Sequence, residues 1–168
     1  MNRSVTLAPA GRSDHELIAN LMQLYLHDLS EFTPEPVSES GIFEYPYLDL
    51  YWLEPERHPF LILACGETAG FALVRELEPQ VHELAEFFIL RRYRGQNIGG
   101  RAANELFMRF TGRWHVAQEE ANVPAQRFWR KVIGEFTDGD FSEERSEQPA
   151  GPRQVFSSSG SGRQQGES

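Results

Sequence analysis

Arg94-Gly95-Gln96-Asn97-Ile98-Gly99-Gly100-Arg101 holds three glycines and an asparagine within eight residues. An apolar run, Phe87-Phe88-Ile89-Leu90, comes before it. After it, from Gly99 to Phe110, Ala102, Ala103, Leu106, Phe107 and Phe110 fall on one helical face. A buried strand that enters such a turn and leaves as a helix presents unpaired N–H groups and the positive end of the helix dipole. That arrangement holds phosphates. Glycine lets the backbone approach an anion closely and accept positive φ, and Arg94 and Arg101 can add charge-assisted bonds.

The neighbouring elements follow from periodicity. Val5 to Ala8 is expected as a short strand. Ser13 or Asp14 caps a helix along which Leu17, Ile18, Leu21, Met22, Tyr25 and Leu29 recur at helical spacing. Between Glu31 and His58 the chain is irregular, with Phe32, Phe43, Tyr45, Tyr47, Tyr51 and Trp52 set among acidic residues. Phe60 to Cys65 and Gly70 to Leu77 form a hairpin around residues 66–69, and Val81 to Leu90 is a further strand, its end buried on both faces. Beyond the helix, Trp114 to Gln118 is a strand, and Pro124 opens a second helix running to about Ile133. Residues 140–158 hold two more strands around a turn at Pro149–Pro152. The expected class is α+β, since three antiparallel strands precede the helix in place of a regular βαβ alternation.

With 168 residues, 40% hydrophobic and 24% charged, the chain suits one packed domain, taken as residues 1–156. Residues 157–168, rich in serine and glycine, are expected as a disordered tail. No apolar run reaches about 18 residues, so no membrane-spanning helix is expected. Met1 to Gly11 lacks the apolar centre of a secretory signal, and a cytoplasmic location is expected. The single cysteine, Cys65, excludes an internal disulfide and a cysteine-based zinc site, and is expected to pack as a small buried hydrophobe. No metal site is expected. The formal net charge of −9 argues against nucleic acid and anionic membrane as partners. Within residues 91–101, however, Arg91, Arg92, Arg94 and Arg101 stand without an acid, an island that suits a small anionic ligand.

Three phosphate motifs compete for this turn. Gly95, Gly99 and Gly100 lack the G-x-G-x-x-G spacing of a dinucleotide site, and a hairpin precedes them. Gly95 to Gly100 matches the glycine spacing of a Walker A loop, but Arg101-Ala102 replaces its lysine and hydroxyl. The third motif fits. Arg94-Gly95-Gln96-Asn97-Ile98-Gly99 after a buried strand resembles the acetyl-CoA motif of the GNAT superfamily of N-acetyltransferases, Gln/Arg-x-x-Gly-x-Gly/Ala. Asn97 stands where the family has glycine, and asparagine tolerates left-handed geometry best among the other residues. Asn122-Val123-Pro124-Ala125-Gln126-Arg127-Phe128-Trp129-Arg130-Lys131 resembles the family's later Asn-x-x-Ala-x-x-Phe/Leu-Tyr-x-Lys motif.

The resemblance covers roughly residues 3–158 and implies a GNAT-like fold, a central mixed, mostly antiparallel sheet of six to seven strands flanked by about four helices, with acetyl-CoA as cosubstrate. It implies cofactor contacts from Ile89, Leu90, Arg94, Gly95, Gln96, Asn97, Ile98, Gly99, Gly100 and Asn122. It also implies direct attack of a primary amine on the thioester, the acceptor being small and cationic. Trp129 replaces the tyrosine that can protonate the leaving thiolate, and an indole N–H is no usable acid. Base candidates are His82, Glu83 and Glu86; Asp28 and Glu31 are weaker ones. Strict alternation puts His82 and Glu86 on one face of the strand and Glu83 on the other. Tyr45, Tyr47, Tyr51 and Trp52 either hold a cationic amine by their ring faces or cap the sheet. A non-catalytic acyl-CoA sensor, or an enzyme acting on a protein N-terminus or lysine, remains the alternative. Oligomeric state is left open, a homodimer included.

Overall fold

The computed structural model describes residues 3–159. The elements run β1 (Val5–Pro9), a 3-10 turn (Arg12–Asp14), α1 (His15–Leu29), α2 (Leu50–Leu53), β2 (Arg57–Ala64), β3 (Glu67–Glu78) and β4 (Val81–Ile89). They continue with α3 (Ile98–Arg109), β5 (Gly112–Ala117), α4 (Val123–Thr137), β6 (Ser142–Glu147) and β7 (Ala150–Ser158). The fold is α+β, as expected. One seven-stranded sheet in the order β1-β2-β3-β4-β5-β7-β6 carries helices on both faces. Every neighbouring pair is antiparallel except β4 and β5. Among the described residues no helix is long and apolar enough to cross a membrane.

Each face of the sheet buries its own cluster. On one side α3 and α4 cover Phe60, Ile62, Ala72, Val74 and Leu84, with Phe107 of α3 edge-on to Trp114 at 5.1 Å and to Phe156 at 4.8 Å. On the other, α1 and the segment around Leu48 and Tyr51 cover Leu61, Phe71, Leu73 and Phe88. Each large side chain so buried contributes about 1.5–3 kcal/mol of transfer free energy. On α1 the buried residues are Ile18, Leu21 and Met22, whereas Leu17 lies at the rim.

Two features of the sheet position the site. First, β4 carries a bulge: Leu73 pairs with Glu86 and Val74 with Leu84, so Ala85 is an extra residue on the β4 side. A bulge reverses the facing of everything beyond it. Second, β4 and β5 pair only at Val81–Arg113, His82–Trp114 and Glu83–His115 among the described residues. Past Glu83 the strands part, and the sheet opens between them.

Several local expectations are corrected. Cys65 is exposed, not buried, because it forms the tight turn between β2 and β3 with Gly66, both at positive φ (51° and 80°). That is the geometry a two-residue hairpin loop demands. The stretch 31–58 contains the short helix α2. Ser157 and Ser158, expected in the tail, pair with Arg113 and Gly112 and complete β7. Residues 160–168 of that expected tail lie outside the described residues.

Candidate active site

The parting of β4 from β5 forms a cleft of about 260 Å³ lined by Tyr25 and Leu29 of α1, Glu83 to Phe87 of β4, Val116 to Glu119, Asn122, Ala125 and Trp129 of α4, and Pro149. The lining holds three carboxylates, Glu83, Glu86 and Glu119, and no lysine, arginine or histidine.

Glu86 is placed there by the bulge. It keeps only part of its surface in contact with solvent. Burial pushes its carboxyl up from the ordinary 4.5 to about 7; hydrogen bonding from Tyr25 and Tyr45 opposes the rise, while the charges of Glu119 and Glu83 add to it. The tyrosines respond in kind. Burial raises Tyr25 and Tyr45 well above the usual phenol, with the Glu86 charge adding to both, and Tyr51 rises to about 12. A carboxyl that changes charge near neutrality is thus surrounded by hydroxyls that stay protonated there.

The bulge also overturns the expected partnership of the base candidates. Glu83, not His82, shares the face of Glu86. His82 turns to the α3 side, 95% buried, where its ring lies 5.3 Å from those of Phe110 and Trp114 and its Nε2 bonds the Thr111 carbonyl at 2.9 Å. It is absent from the cleft lining. Asp28, the weaker base candidate on α1, is tied up by arginines (below). The aromatic segment divides: Leu48 and Tyr51 are buried in the core, Tyr45 and Trp52 pack against it, and Tyr47 is exposed. A reciprocal bond between Gln23 and the Phe43 backbone, at 2.8 and 2.9 Å, fastens this segment to α1.

At the far end of β4 the chain enters the glycine-bearing turn ahead of α3. Gly95 and Asn97 take left-handed geometry, φ 73° and 58°, and α3 begins at Ile98. Its first backbone bond runs from the Arg101 amide to the Asn97 carbonyl at 3.2 Å, so the amides of Ile98, Gly99 and Gly100 precede the first intrahelical acceptor. Both glycines lie against close neighbours. A Cβ on Gly99 would stand 3.1 Å from the Phe128 ring of α4, and one on Gly100 would stand 2.6 Å from Oδ1 of Asn97. Asn97 therefore fills space that Gly100 leaves open.

The side chains of the turn bond within the protein. Gln96 donates to the Arg92 carbonyl at 2.9 Å, Arg101 to the Arg3 carbonyl, and Arg94 to the Ile89 carbonyl at 2.8 Å. The Leu90 amide bonds the Ala69 carbonyl of β3 at 2.8 Å. Asn122 caps α4, its Oδ1 accepting from the Ala125 amide at 3.2 Å. Trp129 fits between Phe87, Phe128 and Phe107, with ring centroids 5.0, 4.8 and 6.4 Å away.

Sequence reasoning did not single out Glu119, and it gave Tyr25 to the core alone. The only signal for Glu119 was a carboxylate three residues ahead of Asn122. Its loop is firmly held: Gln126 bonds the carbonyls of Glu119 and Glu120 at 2.9 and 3.0 Å, and the Glu120 amide bonds Ala150 at 2.9 Å. Behind it, Gln118 and the fully buried Gln154 exchange amide bonds at 2.7 and 3.0 Å.

Similarity to known proteins agrees with this geometry. The family model described as acetyltransferase (GNAT) family matches residues 19–134. No curated protein matches the sequence. Among solved structures, an acetyltransferase from Thermus thermophilus is 19% identical, with a TM-score of 0.65 over 92% of this chain and 97% of that one. An aminoglycoside acetyltransferase in complex with coenzyme A is 16% identical, with a TM-score of 0.64 over 92% and 95%. A ribosomal-protein-alanine N-acetyltransferase from Escherichia coli is 11% identical, with a TM-score of 0.61 over 98% and 100%. At these identities the neighbours share the fold, and the family model carries the assignment: the chain belongs to the GNAT acetyltransferase family.

Proposed function

We propose that this protein transfers an acetyl group from acetyl-CoA to a primary amine of a small cationic molecule, with Glu86 as the base. In this scheme the α3 turn holds the pyrophosphate through backbone amides, and the acyl arm enters where β4 and β5 part. The amine is drawn to the carboxylates of the cleft. Its nitrogen attacks the thioester carbonyl carbon, the C–S bond breaks, and the nitrogen gives up a proton to Glu86. The thiolate then needs a proton. Trp129 has none to give, and Tyr25 is raised too far to be a useful acid. Protonated Glu86 is the acid at hand.

The observation that carries this reading is the bulge at Ala85, which turns Glu86 into a cleft bare of basic side chains. The test is thiol release from acetyl-CoA across a panel of primary amines, with Glu86→Gln alongside. The variant is expected to lose about 10²–10⁴-fold in kcat/KM. In the wild type, kcat/KM should rise through an apparent pKa of about 7 as the carboxyl loses its proton. Full activity in Glu86→Gln removes the carboxyl from the mechanism. Cofactor binding without turnover of any amine would leave a sensor in place of an enzyme.

A further inference from the structure

Arg94, which opens the cofactor motif, is spent on the protein itself. Its Nε donates to the Ile89 carbonyl at 2.8 Å, one terminal nitrogen donates to Asp28 Oδ2 at 2.6 Å, and its guanidinium lies 5.6 Å from the centre of the Phe88 ring. Arg91 takes the other oxygen of Asp28 at 2.7 Å. Asp28 sits in the last turn of α1, where the helix dipole disfavours a carboxylate. Its side chain is only 22% exposed. Burial alone would raise its carboxyl, but the hydrogen bonds and charges of Arg94 and Arg91 outweigh burial and hold it below the ordinary range. An acid in so poor a place on its own helix is kept there by partners 63 and 66 residues away in sequence. One turn earlier on α1, Tyr25 meets Glu86 in the cleft. The end of α1 thus touches the acceptor side and the cofactor turn together.

We propose that Asp28 is a positioning residue that, through Arg94 and Arg91, holds the α3 turn in its anion-binding shape. Arg94 then serves the cofactor by fixing the turn, not by bonding to the pyrophosphate. This rests on the reading that the turn binds acetyl-CoA. The turn has reason to need a clamp: Gly95 and Asn97 both lie in left-handed geometry, and a loosened turn must be ordered at the cost of affinity when ligand arrives.

Titration calorimetry of acetyl-CoA into the full chain tests the proposal, comparing wild type with Asp28→Asn, Arg94→Lys and the double variant. Each single change is expected to weaken binding about tenfold. The double is expected to be no more than about twofold worse than either, because both break the same link. In turnover the loss should fall on KM for acetyl-CoA more than on kcat, and Asp28→Glu should recover part of it. Asp28→Asn binding as tightly as wild type, or tighter, would overturn the proposal; that is the outcome if Asp28 merely withholds Arg94 from the phosphates. Arg94→Lys binding like wild type would overturn it too, since a point charge would then suffice, and this exposed substitution keeps the test open should Asp28→Asn not fold. If the wild type does not bind acetyl-CoA, the reading of the turn itself falls. If it binds and the variants bind alike, only the clamp falls.

Discussion

Replacing Glu86 by glutamine keeps the shape of the side chain and removes its charge, so activity and stability should move in opposite directions. The folded carboxyl titrates near 7, above the ordinary 4.5. The folded state therefore holds this proton longer than the unfolded chain does. Stability from the group is full below about pH 4.5 and is lost as pH rises through about 7. At about pH 8, Glu86→Gln should thus be more stable than wild type, by on the order of 2–3 kcal/mol. In mild acid the gain should vanish. Denaturant titrations at the two pH values check this, and a gain that does not depend on pH would contradict it. A second pair is coupled sterically. Gly100→Ala sets a Cβ against Asn97 Oδ1, so it should gain less than the roughly 1 kcal/mol that alanine has over glycine inside a helix. The same change in an Asn97→Gly background should gain that amount in full, giving a coupling of about 0.5–1 kcal/mol in a double-mutant cycle; additive effects would refute the contact. The suitability of Asn97 for left-handed backbone was legible in the sequence, but its dependence on Gly100 was not. That dependence lies in where one side-chain oxygen points.

For individual elements, the sheet shows where periodicity stops being informative. The hairpin, the buried end of β4 and the helix after the glycines were legible, because each writes its own pattern of apolar residues. The bulge at Ala85 was not. It is set by how β4 pairs with β3, and one extra residue exchanged the faces of His82 and Glu83 relative to Glu86. For the same reason the partners of Asp28 were out of reach: nothing near it in sequence is basic enough to announce Arg91 and Arg94. On α4, Trp129 is expected to act by packing. Trp129→Phe should keep turnover, while Trp129→Ala should lose roughly 3–5 kcal/mol of stability. A Trp129→Phe protein that is folded but inactive would show that the indole takes part in the chemistry.

The whole molecule brings two ends of one strand to two tasks. Strand β4 delivers Glu86 to the cleft and then enters the turn that opens α3; α1 meets both, through Tyr25 and Asp28. On the opposite wall, β5, α4 and β7 hold Glu119 and Trp129 in place. The central claim is that this frame binds acetyl-CoA, and ligand-dependent thermal unfolding tests it most directly. With acetyl-CoA at about 100 times its dissociation constant, the folded state should gain roughly 2.7 kcal/mol. For a chain of 168 residues that is a rise of roughly 5–10 °C in the unfolding midpoint. A midpoint that does not move with acetyl-CoA, coenzyme A or a longer acyl-CoA would contradict the account.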